Sequence, residues 1–209
     1  MPVAILIASG FSMDAVARVV PGVKTSQHAS FKPGNFERLA VLVKQTQGHM
    51  GGMGRGSQGQ TDRLIEQGFM RTLIASGYTL VSRTDLDAAM KERGLDDAHM
   101  TDEKLTEEAG KLLHVSALLI VSVDDLSLTS TMRQRQRSAS NPYITMGMDT
   151  VYQFAASISA RLVKINDNMV MWTGDMTLDR TLGIQSQENQ LLGSMAEAIA
   201  MSFPTFPKN

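Results

Sequence analysis

The stretch Ile144–Leu162 reads ITMGMDTVYQFAASISARL and alternates between apolar and polar residues over most of its length. Apolar residues occupy most even positions and polar residues most odd positions, with Val151 as an exception. Because successive side chains of a strand point to opposite faces, this pattern predicts β-structure with one buried face. The run is much longer than the usual strand of about 5 or 6 residues. We therefore predict one long, protruding antiparallel strand, or two strands bent at Gly147.

The flanking sequence makes this stretch part of a long antiparallel β-hairpin. Asn166–Asn168 carries a turn signal, and Met169–Thr173 is predicted to return as a partner strand. On the other side, Thr129–Pro142 is polar, with arginine at three alternate positions and no acidic residue between Asp125 and Asp149. Such a run of charge is typical of a solvated loop tip, or it contacts an anionic partner. The candidate partner or oligomer contacts are Arg133, Arg135, Arg137, Tyr143, Met146, Met148 and Tyr152.

Toward the N-terminus, short apolar runs alternate with helical patterns. Thr61 is placed to cap the first helix, and Gly77 to end it in a left-handed conformation. Strands alternating with helices of this length indicate an α/β fold, a mixed sheet flanked by helices. The predicted strands are Leu39–Val43, Tyr78–Val81 and Ala117–Val123, and the predicted helices run from Thr61 to Gly77, Thr84 to Gly94, Thr101 to Leu113 and Gln187 to Ser202.

The chain divides into three parts. Residues 1–35 are predicted as a leader or wrapping arm, residues 36–203 as the α/β domain, and residues 204–209 as a tail. The apolar run Pro2–Ser12 resembles a secretory signal, although no Lys or Arg precedes it and Phe11 stands where a lipidated cysteine would be. The alternatives for this run are a short buried strand or a disordered leader.

Composition limits the class of protein. The chain has 209 residues, 43% hydrophobic and 20% charged, with a formal net charge of −1 and no cysteine. These proportions are those of a globular protein, and the charge balance gives no reason to expect nucleic acid as a partner. Without cysteine, disulfides and thiolate metal sites are excluded. No apolar run approaches the roughly 20 residues that a transmembrane helix needs.

The remaining polar residues match no recognised catalytic motif. The glycine-rich loop Gly48–Gly59 lacks the Gly-Lys-Ser/Thr of a P-loop, so a nucleotide-dependent enzyme is only an alternative reading. None of the four histidines has metal-ligand spacing, and Asp124–Asp125 is predicted to serve a turn or a helix cap. No Gly-x-Ser-x-Gly elbow is present. We therefore predict a protein that is not an enzyme and has no catalytic, cofactor or metal site.

Three segments carry a family resemblance. Arg83-Thr84 with Leu86, Met90, Glu92 and Gly94-Leu95 resembles a motif of the curli-secretion CsgG family and its relatives, the LpoB-type activators of penicillin-binding proteins and the N-terminal domain of TolB. Gly110–Leu113 with Leu118–Val123, and Ala160–Val163 with Val170–Gly174, are similar to two further segments of that family. His114, Ser116 and Ser122 stand where the family has Gly, Asp and Gly.

The resemblance implies a CsgG/TolB-N-like α/β domain in the periplasm or at the outer membrane of a Gram-negative bacterium. It implies a lipoprotein-like protein that binds envelope proteins or assembles as a homo-oligomeric ring, without cofactor or catalysis. A secretion-pore subunit is the alternative within the family. The segment Asp124–Ala160 is long enough for one membrane hairpin, but too few residues separate Trp172 from the last helix for a second. The better expectation is an assembly or secretion accessory protein.

Overall fold

The computed structural model describes residues 20–45, 58–81, 102–134, 148–183 and 187–207, together with isolated positions between 85 and 94. These residues form a six-stranded mixed sheet with helices on both faces, which confirms the predicted α/β class. The strands are β1 (Val23–Gln27), β2 (Arg38–Gln45), β3 (Thr79–Val81), β4 (Ala117–Gln134), β5 (Met148–Lys164) and β6 (Val170–Leu182); the helices are α1 (Gln58–Ala75), α2 (Asp102–Leu113) and α3 (Gln187–Ser202).

The strands lie in the order β1-β6-β5-β4-β2-β3. β2 is parallel to both β3 and β4, while β4, β5, β6 and β1 are antiparallel to their neighbours. Parallel neighbours need a crossover connection, and α1 and α2 lie in the two connections that lead from β2 to β3 and from β3 to β4. The antiparallel half therefore holds the long hairpin, and the parallel half holds the crossover helices.

Both faces of the sheet are buried where β2 and β4 meet. Leu39, Val41 and Val43 of β2 join the larger core, which α1 and α3 cover; we call this side the helix-pair face. Ala40 and Leu42 point to the opposite side, where Leu113 of α2 packs against them. The continuous apolar run of β2 is thus explained by burial on two faces.

Helix boundaries agree with the sequence predictions at most ends. Gly77 has φ +97° directly after α1, as predicted for a left-handed C-terminal glycine, and α3 has the predicted limits. The Thr61 cap was wrong, because α1 already begins at Gln58 and Thr61 is buried within it. Most of the predicted helix from Thr84 to Gly94 and of the glycine-rich loop lies outside the described residues.

Aromatic side chains close the core near the end of α1. Phe203 meets Trp172 edge to face, with ring centroids 4.8 Å apart, and meets Tyr78 in the same way at 5.2 Å. The Tyr78 hydroxyl donates to the carbonyl oxygen of Pro204 at 2.7 Å, and burial raises the pKa of Tyr78. The Phe206 N–H donates to the carbonyl oxygen of Ser76. Hydrogen bonds and ring contacts therefore hold the residues after α3 against the segment that follows α1.

The segment 21–35, predicted as part of a leader or arm, contains β1 and a 3₁₀ turn at Pro33–Asn35. β1 is the edge strand beside β6, with Gln27 paired to Trp172 and Val23 to Met176. Four of its five residues are exposed, which is why no apolar periodicity marks it in the sequence.

Candidate interaction site

Three long antiparallel strands dominate the molecule. β4 has 18 residues, β5 has 17 and β6 has 13. The length of β5 confirms the predicted long antiparallel strand; the alternative bend at Gly147 lies outside the described residues. The predicted partner strand Met169–Thr173 was too short, because β6 continues to Leu182.

An extra residue in β4 changes which side chains face the core. Val123 pairs with Ile158 and Asp125 with Ser157, so Asp124 is the added residue of a β-bulge. Before the bulge the odd residues of β4 enter the larger core, and after it the even residues, beginning with Leu126, do so. The predicted turn or helix cap at Asp124–Asp125 was wrong, since the strand runs through both residues. Ser159 Oγ donates to Asp124 Oδ2 at 2.7 Å, which holds the bulge.

The helix-pair face of this hairpin has a covered base and an uncovered end. Phe154, Ile158 and Leu162 of β5 are fully buried beneath α1 and α3. We call the other part, Thr129–Gln134 with Met148–Val151, the projecting end. There Met132 has 73% of its surface exposed, although it lies on the same face as Phe154. Ser130 and Thr150 on this face are exposed as well, so no helix covers the face at Met132.

The predicted contact residues that the structure describes do not share one face of the hairpin. Arg133 is exposed, with Asp149 as its cross-strand neighbour. Tyr152 is half-buried, packs against the larger core and pairs with Ser130 and Leu182. Because Arg133 and Tyr152 occupy alternate rows of the hairpin, they point to opposite faces. Met148 pairs with Gln134, and Arg135, Arg137, Tyr143 and Met146 lie outside the described residues.

The opposite side of β5 and β6 is a mostly polar face, formed by the odd-numbered residues from Gln153 to Arg161 in β5 and from Thr173 to Thr181 in β6. Gln153 joins the strands: its Nε2 donates to Asp179 Oδ1, and its Oε1 accepts from Thr181 Oγ1 at 3.0 Å. The hydroxyls of Ser157 and Thr177 lie 3.3 Å apart. These cross-strand hydrogen bonds satisfy the polar side chains within the sheet itself.

Asp175 lies on the polar face near the bulge. Burial raises the pKa of its carboxyl, and the negative charge of Asp124 raises it further, while Lys24 opposes both effects. The sequence prediction missed this row, although Thr173, Asp175, Thr177, Asp179 and Thr181 alternate with Met176, Leu178 and Leu182. That period of two could have identified the rest of β6.

Two further polar groups, Lys164 and His28, have local partners. A cleft of about 410 Å³ near the β5–β6 turn is lined by Ser30, Ser116 and Lys164 among others, but the Lys164 ammonium lies 2.6 Å from Asp167. His28 Nδ1 lies 2.7 Å from Ser30 Oγ, and His114 follows α2 with φ +50°. Among the described residues, no three His, Cys, Asp or Glu side chains are grouped to hold a metal ion.

None of the helices in the described ranges combines the length and apolar character needed to cross a membrane.

No protein-family model matches the chain, and no curated protein matches it significantly. Solved structures similar to it include a PelC dodecamer from Paraburkholderia phytofirmans, at 13% identity and TM-score 0.48, covering 88% of this chain and 97% of that one. The lipoprotein GNA1162 from Neisseria meningitidis is similar at 16% identity and TM-score 0.45, covering 78% and 97%. The LpoB C-terminal domain from Salmonella enterica is similar at 16% identity and TM-score 0.41, covering 73% and 87%.

Proposed function

We propose that this chain is a non-catalytic protein of the Gram-negative envelope, periplasmic or associated with the outer membrane, that binds or scaffolds envelope proteins as a homo-oligomer. The envelope assignment rests on the sequence resemblance to the CsgG family. The structural observation that supports a contact role is the projecting end, where Met132 is exposed on the row that elsewhere forms the core. The proposed contacts are Arg133, Arg135, Arg137, Tyr143, Met146, Met148 and Tyr152.

Two physical features favour binding by this element. Met132 is a flexible apolar side chain, which adapts to irregular partner surfaces. Arg133 is followed in the sequence by two more arginines, and Asp149 is the acidic residue across the strand from the first. A partner with acidic groups beside an apolar patch would complement this combination, because opposite charges steer association and apolar burial holds the complex.

The register of the hairpin allows a clean test. Thr129 and Gln153 are cross-strand partners, and Thr129 Oγ1 lies 3.5 Å from the Gln153 carbonyl oxygen. Replacing residues 130–152 with Asn-Gly would close the hairpin by a two-residue turn at this pair, because that dipeptide favours the backbone twist of tight hairpins. The base of the sheet, including Phe154, is retained.

The readouts are oligomer mass by light scattering and quantitative capture of envelope proteins by the tagged chain. We expect the shortened chain to lose oligomer and captured partner while keeping a cooperative thermal transition. Replacing Arg133, Arg135 and Arg137 together with Gln is expected to weaken capture, whereas Arg63→Gln on the exposed side of α1 is the matched control. Unchanged assembly and capture in a folded shortened chain would exclude the projecting end as the contact element.

A further inference from the structure

β6 is longer than its outer neighbour. β1 pairs with Trp172–Met176, while β6 continues to Leu182. Over Thr177–Leu182, β5 hydrogen-bonds to one side of β6, and no strand in the described part of the chain pairs with the other side. We call these six residues the open edge of β6.

A tight turn lies directly before β1. The Val23 N–H donates to the carbonyl oxygen of Val20 at 3.1 Å, which closes a four-residue turn with Pro21 and Gly22 at its centre. Gly22 has φ +83°, and Pro followed by a glycine of positive φ is the signature of a type II turn. This turn sets where β1 begins, so β1 does not extend along β6 beyond Met176.

The ladder geometry gives the direction of the free backbone groups. His28 N–H donates to the Met171 carbonyl oxygen at 2.9 Å, one step beyond the pairing of Gln27 with Trp172. In an antiparallel ladder, hydrogen-bonded pairs occur at every second residue, so the odd residues of β6 direct their backbone groups toward β1. Along the open edge, Thr177, Asp179 and Thr181 therefore direct N–H and C=O groups outward.

We propose that the open edge binds an extended segment of a partner protein as a seventh, antiparallel strand. Main-chain hydrogen bonds to an exposed sheet edge give affinity, and alternate side chains give specificity. On the polar face Asp179 is exposed and Asp175 lies nearby, which selects a lysine or arginine at the facing position. On the helix-pair face, half-buried Leu178 and buried Leu182 select apolar residues, and exposed Arg180 between them disfavours a basic one. The partner segment is thus an alternating strand of apolar and basic residues.

A second copy of this chain is a poor occupant of the same edge. Two open edges related by a twofold axis pair in one of two well-overlapped registers. One register places Asp179 opposite Asp179, and the other places Arg180 opposite Arg180. Like charges directly opposite each other destabilise a strand pair. The charge pattern therefore favours a different chain over self-pairing, which would otherwise be the usual hazard of an exposed edge.

Hydrogen exchange in the full chain tests whether the edge is open. We expect the amides of Thr177, Asp179 and Thr181 to exchange at least tenfold faster than those of Leu178 and Arg180, which bond to β5. Equal protection of both sets would mean that the edge is already covered, by the chain itself or by a second copy. Equal protection would therefore overturn the proposal, whichever of the two covers the edge.

Binding is tested with a fluorescent peptide, acetyl-TVKVTVKV-amide, and a copy N-methylated on the alternate amides that would face β6. We expect anisotropy to detect the first peptide and N-methylation to weaken its binding at least tenfold, because each methyl group removes a donor from the ladder. No binding of the unmethylated peptide, or equal affinity of the two peptides, would refute strand addition.

Two substitutions at one position supply the matched protein variants. Thr181→Pro removes the outward N–H, and proline is tolerated on the free side of an edge strand. Thr181→Val removes the same hydroxyl but keeps the N–H. We expect the proline variant to bind the peptide at least tenfold more weakly and the valine variant to bind within twofold of the wild type. If both variants bind equally, the backbone edge is not the site.

This surface does not depend on the proposed envelope function or on the projecting end. The chain shortened at Thr129 and Gln153 retains Thr177–Thr181 with their β5 partners Gln153–Ser157, although Leu182 loses its partner Tyr152, and it is expected to keep binding the peptide. If the shortened chain stays oligomeric but binds the peptide, only the proposal for the projecting end fails. If it loses the oligomer and the full chain does not bind the peptide, only the proposal for the open edge fails.

Discussion

The base and the projecting end of the β4–β5 hairpin belong to the same strands but have different surroundings. At the base, Phe154 lies beneath α1 and α3 with no exposed surface. At the projecting end, Met132 occupies the same face with 73% exposure. Strand alternation alone cannot distinguish these positions, because it reports which face a residue occupies and not whether a helix covers it. Helix coverage therefore separates the buried part of the hairpin, which stabilises the fold, from the exposed part.

Truncation of both side chains is expected to have very different effects on stability. Phe154→Ala is expected to lower the free energy of unfolding by about 3–5 kcal/mol, because it removes a buried ring and leaves a cavity. Met132→Ala is expected to change it by less than about 0.5 kcal/mol, since the side chain is exposed. Urea unfolding measures both. A large loss for Met132→Ala would mean that something covers the projecting end.

The sequence predicted the fold class and the length of β5 because alternation and apolar runs record which faces are buried. It did not predict the bulge, because one added residue shifts the parity of β4 without leaving a glycine or proline as a marker. Asp124–Asp125 therefore looked like the end of a strand. The prediction also ended the partner strand at Thr173 and so missed the rest of β6, although its residues alternate with a period of two. Both errors concern the strands that carry the candidate surfaces.

Gly174 is explained by what lies over it. A Cβ at this position would be 2.5 Å from Cη2 of Trp172 and 3.1 Å from Cγ2 of Ile199. Glycine lets the indole ring lie against the β6 backbone, so a residue without a side chain is a packing requirement of the covered base.

Substitutions of Gly174, within β6, and of Gly183, just after it, are expected to differ in their effect on stability. Gly174→Ala is expected to lower the free energy of unfolding by about 1–3 kcal/mol, because the rigid indole must move. Gly183→Ala, just past the strand and with no atom within 4 Å of the added Cβ, is the matched control and is expected to change stability by less than about 0.5 kcal/mol. Thermal unfolding of both variants measures the difference, and equal effects would exclude the Trp172 contact as the cause.

A buried acid at the start of α3 makes the covered base sensitive to pH. Glu188 is buried, and burial raises the pKa of its carboxyl above the ordinary 4.5. The folded state then holds this proton more tightly than the unfolded state, so the contribution of Glu188 to stability falls as pH rises from the unfolded pKa through the folded one. At pH values above the folded pKa, the contribution of Glu188 no longer changes with pH.

Glu188→Gln is therefore expected to gain stability relative to the wild type as pH rises through this window, with the full difference at pH 7 and above. Asp167→Asn is a control of opposite sign. The hydrogen bond from Lys164 lowers the pKa of Asp167, so its stabilisation is present above the unfolded pKa and is lost as pH falls through the folded one. Urea midpoints at several pH values measure both variants. A pH-independent difference for Glu188→Gln would show that titration is not responsible.

The smallest expected effect comes from the backbone at the end of α2. His114 has φ +50°, a left-handed conformation that disfavours residues with a Cβ. Glycine is the usual residue at such a helix end. His114→Gly is expected to raise the free energy of unfolding by about 0.5–1 kcal/mol, and His114→Asn by less, since asparagine also tolerates this conformation. His114→Ala, which keeps the Cβ, is expected to leave stability nearly unchanged. Destabilisation by both Gly and Ala would mean that the imidazole itself makes a contact that stabilises the base.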